Sequence, residues 1–198
     1  MVGERGPADH NVREQIISAA DVHFSHYGYG KTTVSDLAKA IGFSKAYIYK
    51  FFDSKRAIGE AICARFLATI TDAVEEAVNN RRSATDGIRR LFKTIPEIEI
   101  ELFFNDRRLY DIACHACSER WPCAQAFVEK VEGILARIIL DGRESGEFER
   151  KTPLDETCRA IMHVLQPFMV PLILQYNVET VPEGPSAVAS LVLRSLAP

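Results

Sequence analysis

The sequence lacks the features of an exported or membrane-bound protein. Its first fourteen residues, MVGERGPADHNVRE, contain no apolar core of the kind that a secretory signal needs. One uncharged stretch, residues 160–178, approaches the length of a membrane span, but it contains two prolines, two glutamines, a histidine and an asparagine. We interpret this stretch as a buried helix, and we expect no contact with a membrane.

Disulfide bonds are not expected either. The chain has five cysteines, an odd number, and its 198 residues are enough to bury a hydrophobic core without covalent cross-links. Free thiols are typical of a reducing compartment, so the sequence predicts a cytoplasmic protein.

Catalytic signatures are missing as well. The sequence contains neither G-x-S-x-G nor H-E-x-x-H, and it has no glycine-rich phosphate-binding loop. We therefore expect no enzyme activity, no catalytic residue and no cofactor. Internal repeats and low-complexity runs are absent too, and the overall composition is that of an ordinary globular chain.

Basic charge is concentrated in one segment. The formal net charge is −3, yet residues 31–56 contain six lysines and arginines against two aspartates, a local balance of +4. The rest of the chain therefore carries about −7. A basic patch on an acidic body is typical of a protein that contacts DNA with one end.

The spacing of apolar residues predicts an all-α protein of about nine helices. Helical periodicity recurs from residue 9 onward, and glycine or proline breaks separate most of the segments. A long helix is expected over 54–80. The later helices are expected at about 84–105, 107–119, 122–144, 153–176 and 184–196.

The basic segment predicts two short helices joined by a glycine turn. Thr33 and Ser44 are suited to cap the two helices, and Gly42 is suited to the turn. Ile48 and Phe52 would pack inward, which leaves the rest of the second helix free to enter a major groove. We expect DNA contacts from Thr33, Ser35, Ser44, Lys45, Ala46, Tyr47, Tyr49, Lys50 and Lys55. The alternative is a plain three-helix packing unit with solvated lysines.

A longer signature runs through residues 17–62. It consists of Gly28, Thr32, Thr33, Leu37, Ala38, Gly42, Ser44, Tyr49, Phe52, Ser54 and Lys55. With this signature, residues 10–65 closely resemble the DNA-binding region of the TetR family of transcriptional regulators. Two positions depart from the family pattern: Ala46 stands where glycine is frequent, and Tyr47 is bulkier than the usual residue.

The resemblance implies an N-terminal three-helix DNA-binding domain with a helix–turn–helix (9–53), preceded by a disordered arm (1–8). The long helix (54–80) would connect it to a larger helical domain for ligand binding and dimerisation (81–198). Helices 153–176 and 184–196 would form the interface of a homodimer. Two reading helices about 34–36 Å apart would then recognise a near-palindromic double-stranded DNA operator.

The resemblance also implies a repressor that a small, largely apolar effector releases from its operator. The candidate pocket residues are Phe103, Phe104, Tyr110, His115, Trp121, Phe127, His163, Gln166 and Phe168. The alternative for each is an ordinary place in the core, where aromatic residues are frequent. A protein of the same fold that binds DNA without any effector is a second possibility.

The cysteines allow a third interpretation, a regulator that responds to thiol oxidation or to a metal. Cys114 and Cys117 share a helix face, and Cys123 follows them. A four-ligand zinc site would need Cys158 or His163 from elsewhere in the chain, so we expect no bound metal. Small buried hydrophobic residues are the simpler interpretation of these cysteines.

Overall fold

The computed structural model describes residues 7–105 and 109–198, which form ten α-helices and no β-strand. The prediction of an all-α fold is confirmed. None of the helices in these two ranges is long and apolar enough to cross a bilayer. The α-helices are α1 (Pro7–Tyr27), α2 (Val34–Ile41), α3 (Lys45–Ile48), α4 (Lys55–Asn79), α5 (Ala84–Glu99), α6 (Tyr110–Ser118), α7 (Pro122–Ser145), α8 (Leu154–Leu165), α9 (Pro171–Leu174) and α10 (Glu183–Ser195).

Two apolar clusters form the interior. The first joins α1, α2 and α3 to the start of α4, and it also includes Trp121 and Ile112 from farther along the chain. The second joins the rest of α4 to α5, α7, α8 and α10. Helix α4 has 25 residues and a length of about 37 Å, so it contributes to both clusters. A displacement of this one helix therefore affects both parts of the molecule.

The N-terminal helix begins earlier than the sequence predicts. Helix α1 starts at Pro7, whereas the expected disordered arm reaches residue 8. Proline is favoured in the first turn of a helix, because its fixed φ suits the helix and its missing N–H would have no intrahelical partner there. Residues 1–6 of the expected arm lie outside the described residues.

The expectation of one helix over 153–176 is wrong. Helix α8 ends at Leu165, a 3-10 turn covers Gln166–Phe168, and the short α9 follows. Pro167 and Pro171 have no backbone N–H and clash with the preceding turn of an α-helix, so the helical path breaks at both residues. The second expected interface helix, 184–196, corresponds to α10.

The expected helix over 84–105 changes type near its end. Helix α5 contains Pro96 and ends at Glu99, and a π-helix then covers Ile100–Asn105. The alternation at residues 98–102 is thus helical, as predicted. Part of the next expected helix (107–119) falls on residues 106–108, outside the described residues, and α6 itself begins at Tyr110.

Glu147 caps the N-terminus of α5 from a distant part of the chain. Its carboxylate accepts the backbone N–H groups of Ala84 and Thr85, both at 3.0 Å, while Ser83 accepts the N–H of Asp86. These hydrogen bonds stabilise the charged form, and the pKa of Glu147 falls from 4.5 to about 2. The cap links the start of α5 to the end of α7.

We expect Glu147→Gln to destabilise the protein at pH 7 by about 1 kcal/mol, the usual size of an exposed helix cap. Because the folded-state pKa is depressed, the contribution of the charge is complete above the ordinary pKa and disappears as the pH falls towards 2. The difference between the urea unfolding midpoints of wild type and variant should therefore shrink as the pH is lowered from 6 to about 3. Glu144→Gln, at an exposed position, is the control. A difference in unfolding midpoint that does not depend on pH would contradict the role of the Glu147 charge in this cap.

Candidate nucleic-acid interface and effector cavity

The turn between α2 and α3 is set by Gly42. Its φ of 77° lies in the left-handed region, where a side chain would be strained, and its N–H donates back to the carbonyls at the end of α2. The N–H of Phe43 donates to the carbonyl of Ala38 at 2.9 Å. This C-cap ends α2 and directs the chain into α3.

Side-chain hydroxyls cap α2 and α3 as the sequence predicts. Thr33 and Asp36 form a reciprocal capping box, and the hydrogen bonds from Thr33 hold the pKa of the Asp36 carboxyl below its usual value. The hydroxyl of Ser44 accepts the N–H of Tyr47 at 3.1 Å. Both hydroxyls are exposed, but each already has a partner in the fold.

The outer face of α3 is exposed and basic. Ile48 is completely buried, whereas Lys45, Ala46, Tyr49 and Lys50 are exposed. The ammonium of Lys45 lies 5.8 Å from the ring of Tyr49. Lys45 and Ala46 lie on α3, whereas Tyr49 and Lys50 lie in the turn that follows it. These four exposed residues form a surface that we call the α3 face (Lys45, Ala46, Tyr49, Lys50).

Tyr47 flanks the α3 face and is half-buried. Its ring lies edge-on between Phe43 and Phe51, at centroid distances of 5.1 and 5.4 Å. The ammonium of Lys50 lies 5.5 Å from the Tyr47 ring. The bulk that distinguishes Tyr47 at this position is therefore accommodated by two aromatic neighbours, and Ser35 is likewise half-buried on α2.

Lys55 differs from the other predicted contact residues, because its ammonium group contacts Tyr29 within the fold. Its ammonium donates to the carbonyl oxygen of Tyr29 at 3.0 Å and lies 4.4 Å from the centre of the Tyr29 ring. The side chain is half-buried at the start of α4. Lys55 thereby ties α4 to the loop between α1 and α2.

Tyr29 also joins the N-terminal cluster to α6 and α7. Its ring packs against Trp121 at 5.5 Å and His115 at 4.9 Å. Burial, assisted by the negative charge of Glu119, raises the pKa of Tyr29 to about 12. Next to it, the N–H of Gly30 donates to Asp111 at 3.2 Å. We call the contact region formed by Tyr29, Gly30, Asp111, His115 and Trp121 the junction.

Within the junction, Trp121 and His115 both form hydrogen bonds to Glu119. Trp121 is completely buried, and its indole N–H donates to Glu119 at 2.9 Å. His115 shares a 2.9 Å hydrogen bond with the same carboxylate, and these two bonds lower the pKa of Glu119. Trp121 and His115, predicted as pocket residues, therefore lie in the junction.

A cavity of about 60 Å³ lies between α4, the end of α5 and the π-helix after it, α6, α7 and the start of α9. Two of the nine predicted pocket residues, Phe103 and Phe127, line it. The other walls are almost entirely apolar. They include Leu67, Ala113, Ala116, Ala124, Val128, Met169, Val170 and Pro171.

Glu99 also lines this cavity, and the sequence-based prediction missed it. The residue is 1% exposed, and its Oε2 has no hydrogen-bond partner among the described residues. Burial raises the pKa of its carboxyl well above the usual value. The signal was present in the sequence, because Ile88, Phe92, Ile95 and Glu99 follow the i, i+4, i+7, i+11 spacing of one helix face.

The remaining predicted pocket residues are dispersed. Phe104 and Tyr110 pack on each other at 5.4 Å, and Phe168 is buried close to Gly184. His163 and Gln166 are exposed at the end of α8. These five do not line the cavity.

The cysteines are free thiols, and one close pair joins α4 to α7. Cys63 donates a hydrogen bond to Cys123, which raises the pKa of Cys63 and lowers that of Cys123. Burial raises the pKa of Cys114, and it raises that of Cys117 to about 11. Among the residues that the structure describes, no three His, Cys, Asp or Glu side chains are grouped closely enough to hold a metal.

A capped helix pair with an exposed basic second helix, attached to a larger helical body, defines a helix–turn–helix regulator. Comparison with known proteins assigns the family. Residues 16–62 match the model described as "Bacterial regulatory proteins, tetR family", and residues 84–183 match "Tetracyclin repressor-like, C-terminal domain". The chain belongs to the TetR family, and the prediction of a DNA-binding transcriptional regulator is confirmed.

Curated relatives agree with this assignment. The chain is 32% identical over 89 residues to IcaR of Staphylococcus aureus, a negative transcriptional regulator of the biofilm operon icaADBC. That match covers 44% of this chain and 48% of IcaR, so the chain spans about half the length of these relatives. It is 24% identical to the transcriptional regulator YhgD of Bacillus subtilis, over 91% of this chain and 92% of YhgD.

Solved structures share the fold. The TetR-family regulator PfmR of Thermus thermophilus is 25% identical, with a TM-score of 0.58 over 92% of this chain and 99% of PfmR. A transcriptional regulator from Cytophaga hutchinsonii is 24% identical, with a TM-score of 0.70 over 93% of this chain and 98% of its own.

We expect Gly59→Ala to destabilise the protein by about 1–3 kcal/mol, because the added Cβ would lie 2.8 Å from the rings of both Trp121 and Tyr29. Gly133→Ala, also within a helix but with no atom within 4 Å of the new Cβ, should stabilise it by about 0.5–1 kcal/mol. Urea unfolding at one fixed protein concentration measures both effects. Equal midpoints for the two variants would show that the junction is not tightly packed.

Proposed function

We propose that this regulator binds a near-palindromic double-stranded operator as a homodimer, with the α3 face of each subunit in a major groove. The observation that carries the proposal is the exposure of Lys45, Ala46, Tyr49 and Lys50 on α3 and the turn after it, while Ile48 between them is buried. Lysine ammonium and tyrosine hydroxyl groups contact phosphates and base edges. Thr33, Ser35, Ser44 and Tyr47 border this face and complete the proposed contact set.

Apolar side chains on α8 and α10 support the proposed dimer. Leu191 is 60% exposed and Val164 is 42% exposed, although both are aliphatic and lie on helices that pack together. Burial of such side chains against a second copy would remove them from water. Two subunits related by a two-fold axis would place their α3 helices on successive turns of one face of DNA, about 34–36 Å apart.

We propose that the protein represses transcription rather than activates it. The similar protein IcaR is named a negative transcriptional regulator, and it matches this chain over 89 residues. A dimer bound at a promoter blocks transcription by occupying the site. An effector that occupies the cavity and favours a state with poor groove spacing would release the operator.

Helix α4 is the proposed route from the effector to DNA. Cys63 and Leu67 of α4 form one wall of the cavity, and the start of the same helix belongs to the apolar cluster that also contains Ile48 of α3. A ligand that enlarges the cavity must move at least one wall, and movement of α4 would carry the α3 face with it. An effector-independent regulator of the same fold would lack this response.

Lys45→Ala and Lys50→Ala test the DNA contact. We expect each to weaken binding to a duplex selected from a random-sequence library and to reduce the slope of log affinity against log salt by about 2, since the dimer loses one phosphate contact in each subunit. The control is Lys93→Ala, which removes an exposed cation from α5 in the body. Affinity and salt slope that match the wild type in both α3 variants would contradict the proposal.

A thiol-responsive regulator is the second candidate function. The contact between Cys63 and Cys123 favours it, and this pair replaces the sequence-based grouping of Cys114, Cys117 and Cys123. Cys123 lies in the first turn of α7, where free N–H groups and the helix dipole stabilise a thiolate. Hydrogen peroxide would oxidise the two thiols to a disulfide, with loss of both thiol protons and formation of two water molecules.

On this second candidate, mild peroxide treatment should remove two of the five free thiols and change operator affinity. Cys123→Ala should abolish both effects, whereas Cys158→Ala, remote from the pair, should leave them intact. Thiol titration and a DNA-binding assay on the same samples provide the readouts. Unchanged operator affinity after complete oxidation would exclude thiol sensing.

A further inference from the structure

Glu99 places in an apolar cavity a carboxyl whose Oε2 has no hydrogen-bond partner within residues 7–105 and 109–198. Of the described residues that line the space, the titratable ones besides Glu99 are the thiols of Cys63 on α4 and Cys117 on α6. The lining residues of α7 and of the segment before α9 carry no charge. No ion pair or hydrogen bond of the described residues compensates Oε2 of Glu99.

A buried carboxyl lowers the stability of the fold unless a ligand or side chain forms hydrogen bonds with it. A buried carboxylate without a partner is unfavourable, so burial in the empty site favours the neutral acid and raises the pKa of Glu99. A neutral acid still leaves acceptor positions without a donor. Replacement of Glu99 by an aliphatic residue would satisfy the packing of this helix face better, which indicates that the carboxyl serves a ligand.

We infer that Glu99 anchors an effector site for a lipophilic organic cation, a small apolar amine whose charged group carries N–H donors. This inference rests on the proposed function of an effector-responsive regulator. It adds the chemical class of the effector and the residue that recognises its charge.

The chemistry of the walls selects a cation over the alternatives. An anion would find no cationic partner on the described walls, so the desolvation of its charge would be uncompensated. A neutral hydroxyl forms one ordinary hydrogen bond, whereas an ammonium forms a charge-assisted bond that is roughly twice as strong. The apolar walls then pack against the hydrocarbon part of the same ligand.

The size of the cavity links binding to movement. A volume of about 60 Å³ accepts a fragment of a few heavy atoms, far below the ~300–1,000 Å³ of a pocket for a drug-sized ligand. Met169, a flexible side chain, and Phe103, on the π-helix, are walls that can shift. A larger cation must displace these walls or α4.

Four probes of matched shape test the inference on the full chain: benzylamine, benzyl alcohol, toluene and benzoate. We expect benzylamine to bind at least about tenfold more tightly than benzyl alcohol or toluene, since a charged hydrogen bond replaces a neutral one or none. Benzoate should not bind. Isothermal titration calorimetry at pH 8 gives the affinities.

The proton balance gives a second readout. Cation binding favours the ionised carboxylate while the empty site holds a proton, so binding releases a proton and affinity rises with pH until Glu99 ionises in the free protein. Calorimetry in buffers of different ionisation enthalpy measures that proton. In Glu99→Gln, both the proton release and the preference for benzylamine should disappear, while toluene binding persists.

Two controls separate a binding role from a folding role. Glu97→Gln, an exposed neighbour on α5, should behave as wild type. Glu99→Leu should raise the thermal midpoint, because it removes a buried unpaired carboxyl. It should also bind toluene but not benzylamine.

Equal affinities for benzylamine and benzyl alcohol, a cation preference that survives in Glu99→Gln, or no binding of any probe would overturn the inference. The proposed function has a separate test in the DNA-binding assay. If a neutral or anionic compound releases the operator from wild type, the regulator is effector-responsive and the cation assignment alone fails. If the protein does not bind DNA, the proposed function fails whatever the probes do.

Discussion

The packing of Tyr29 against Trp121 is the contact that fixes the N-terminal helices to the start of α7 in the body. Tyr29 belongs to the loop between α1 and α2, while Trp121 immediately precedes α7, so the pair joins segments about ninety residues apart in sequence. Lys55 adds a hydrogen bond to the same loop, and Gly59 provides the close approach that the two rings require. A helix–turn–helix attached only through a flexible linker could not respond to events in the body.

Helix α4 extends this contact to the cavity. Gly59, Cys63 and Leu67 lie four residues apart and therefore on one face of the helix. The first of them meets the junction, and the other two form a wall of the cavity. The same helix face thus contacts both regions within about two turns. A rigid helix transmits small displacements over such a distance without any chain of intermediate side chains.

Local rules predict the DNA-binding part of the chain well and the body less well. The caps at Thr33 and Ser44 and the turn at Gly42 depend on residues within a few positions, so the sequence indicates them directly. The place of Trp121 could not be predicted in this way, because its neighbour Tyr29 is distant in sequence. The break at Pro167 and Pro171 was predictable in principle, since proline rules alone require it.

The cavity is the place where the fold departs most from simple packing. A carboxyl occupies an inner position of α5, and the helix changes from α to π at the next residue. Each departure lowers stability in isolation, and both lie beside the wall formed by Phe103. Natural folds concentrate such unfavourable features where a ligand later satisfies them. On this reasoning, the proposed effector would supply the partner that Glu99 lacks among the described residues, and the free energy of its binding would be available to move α4.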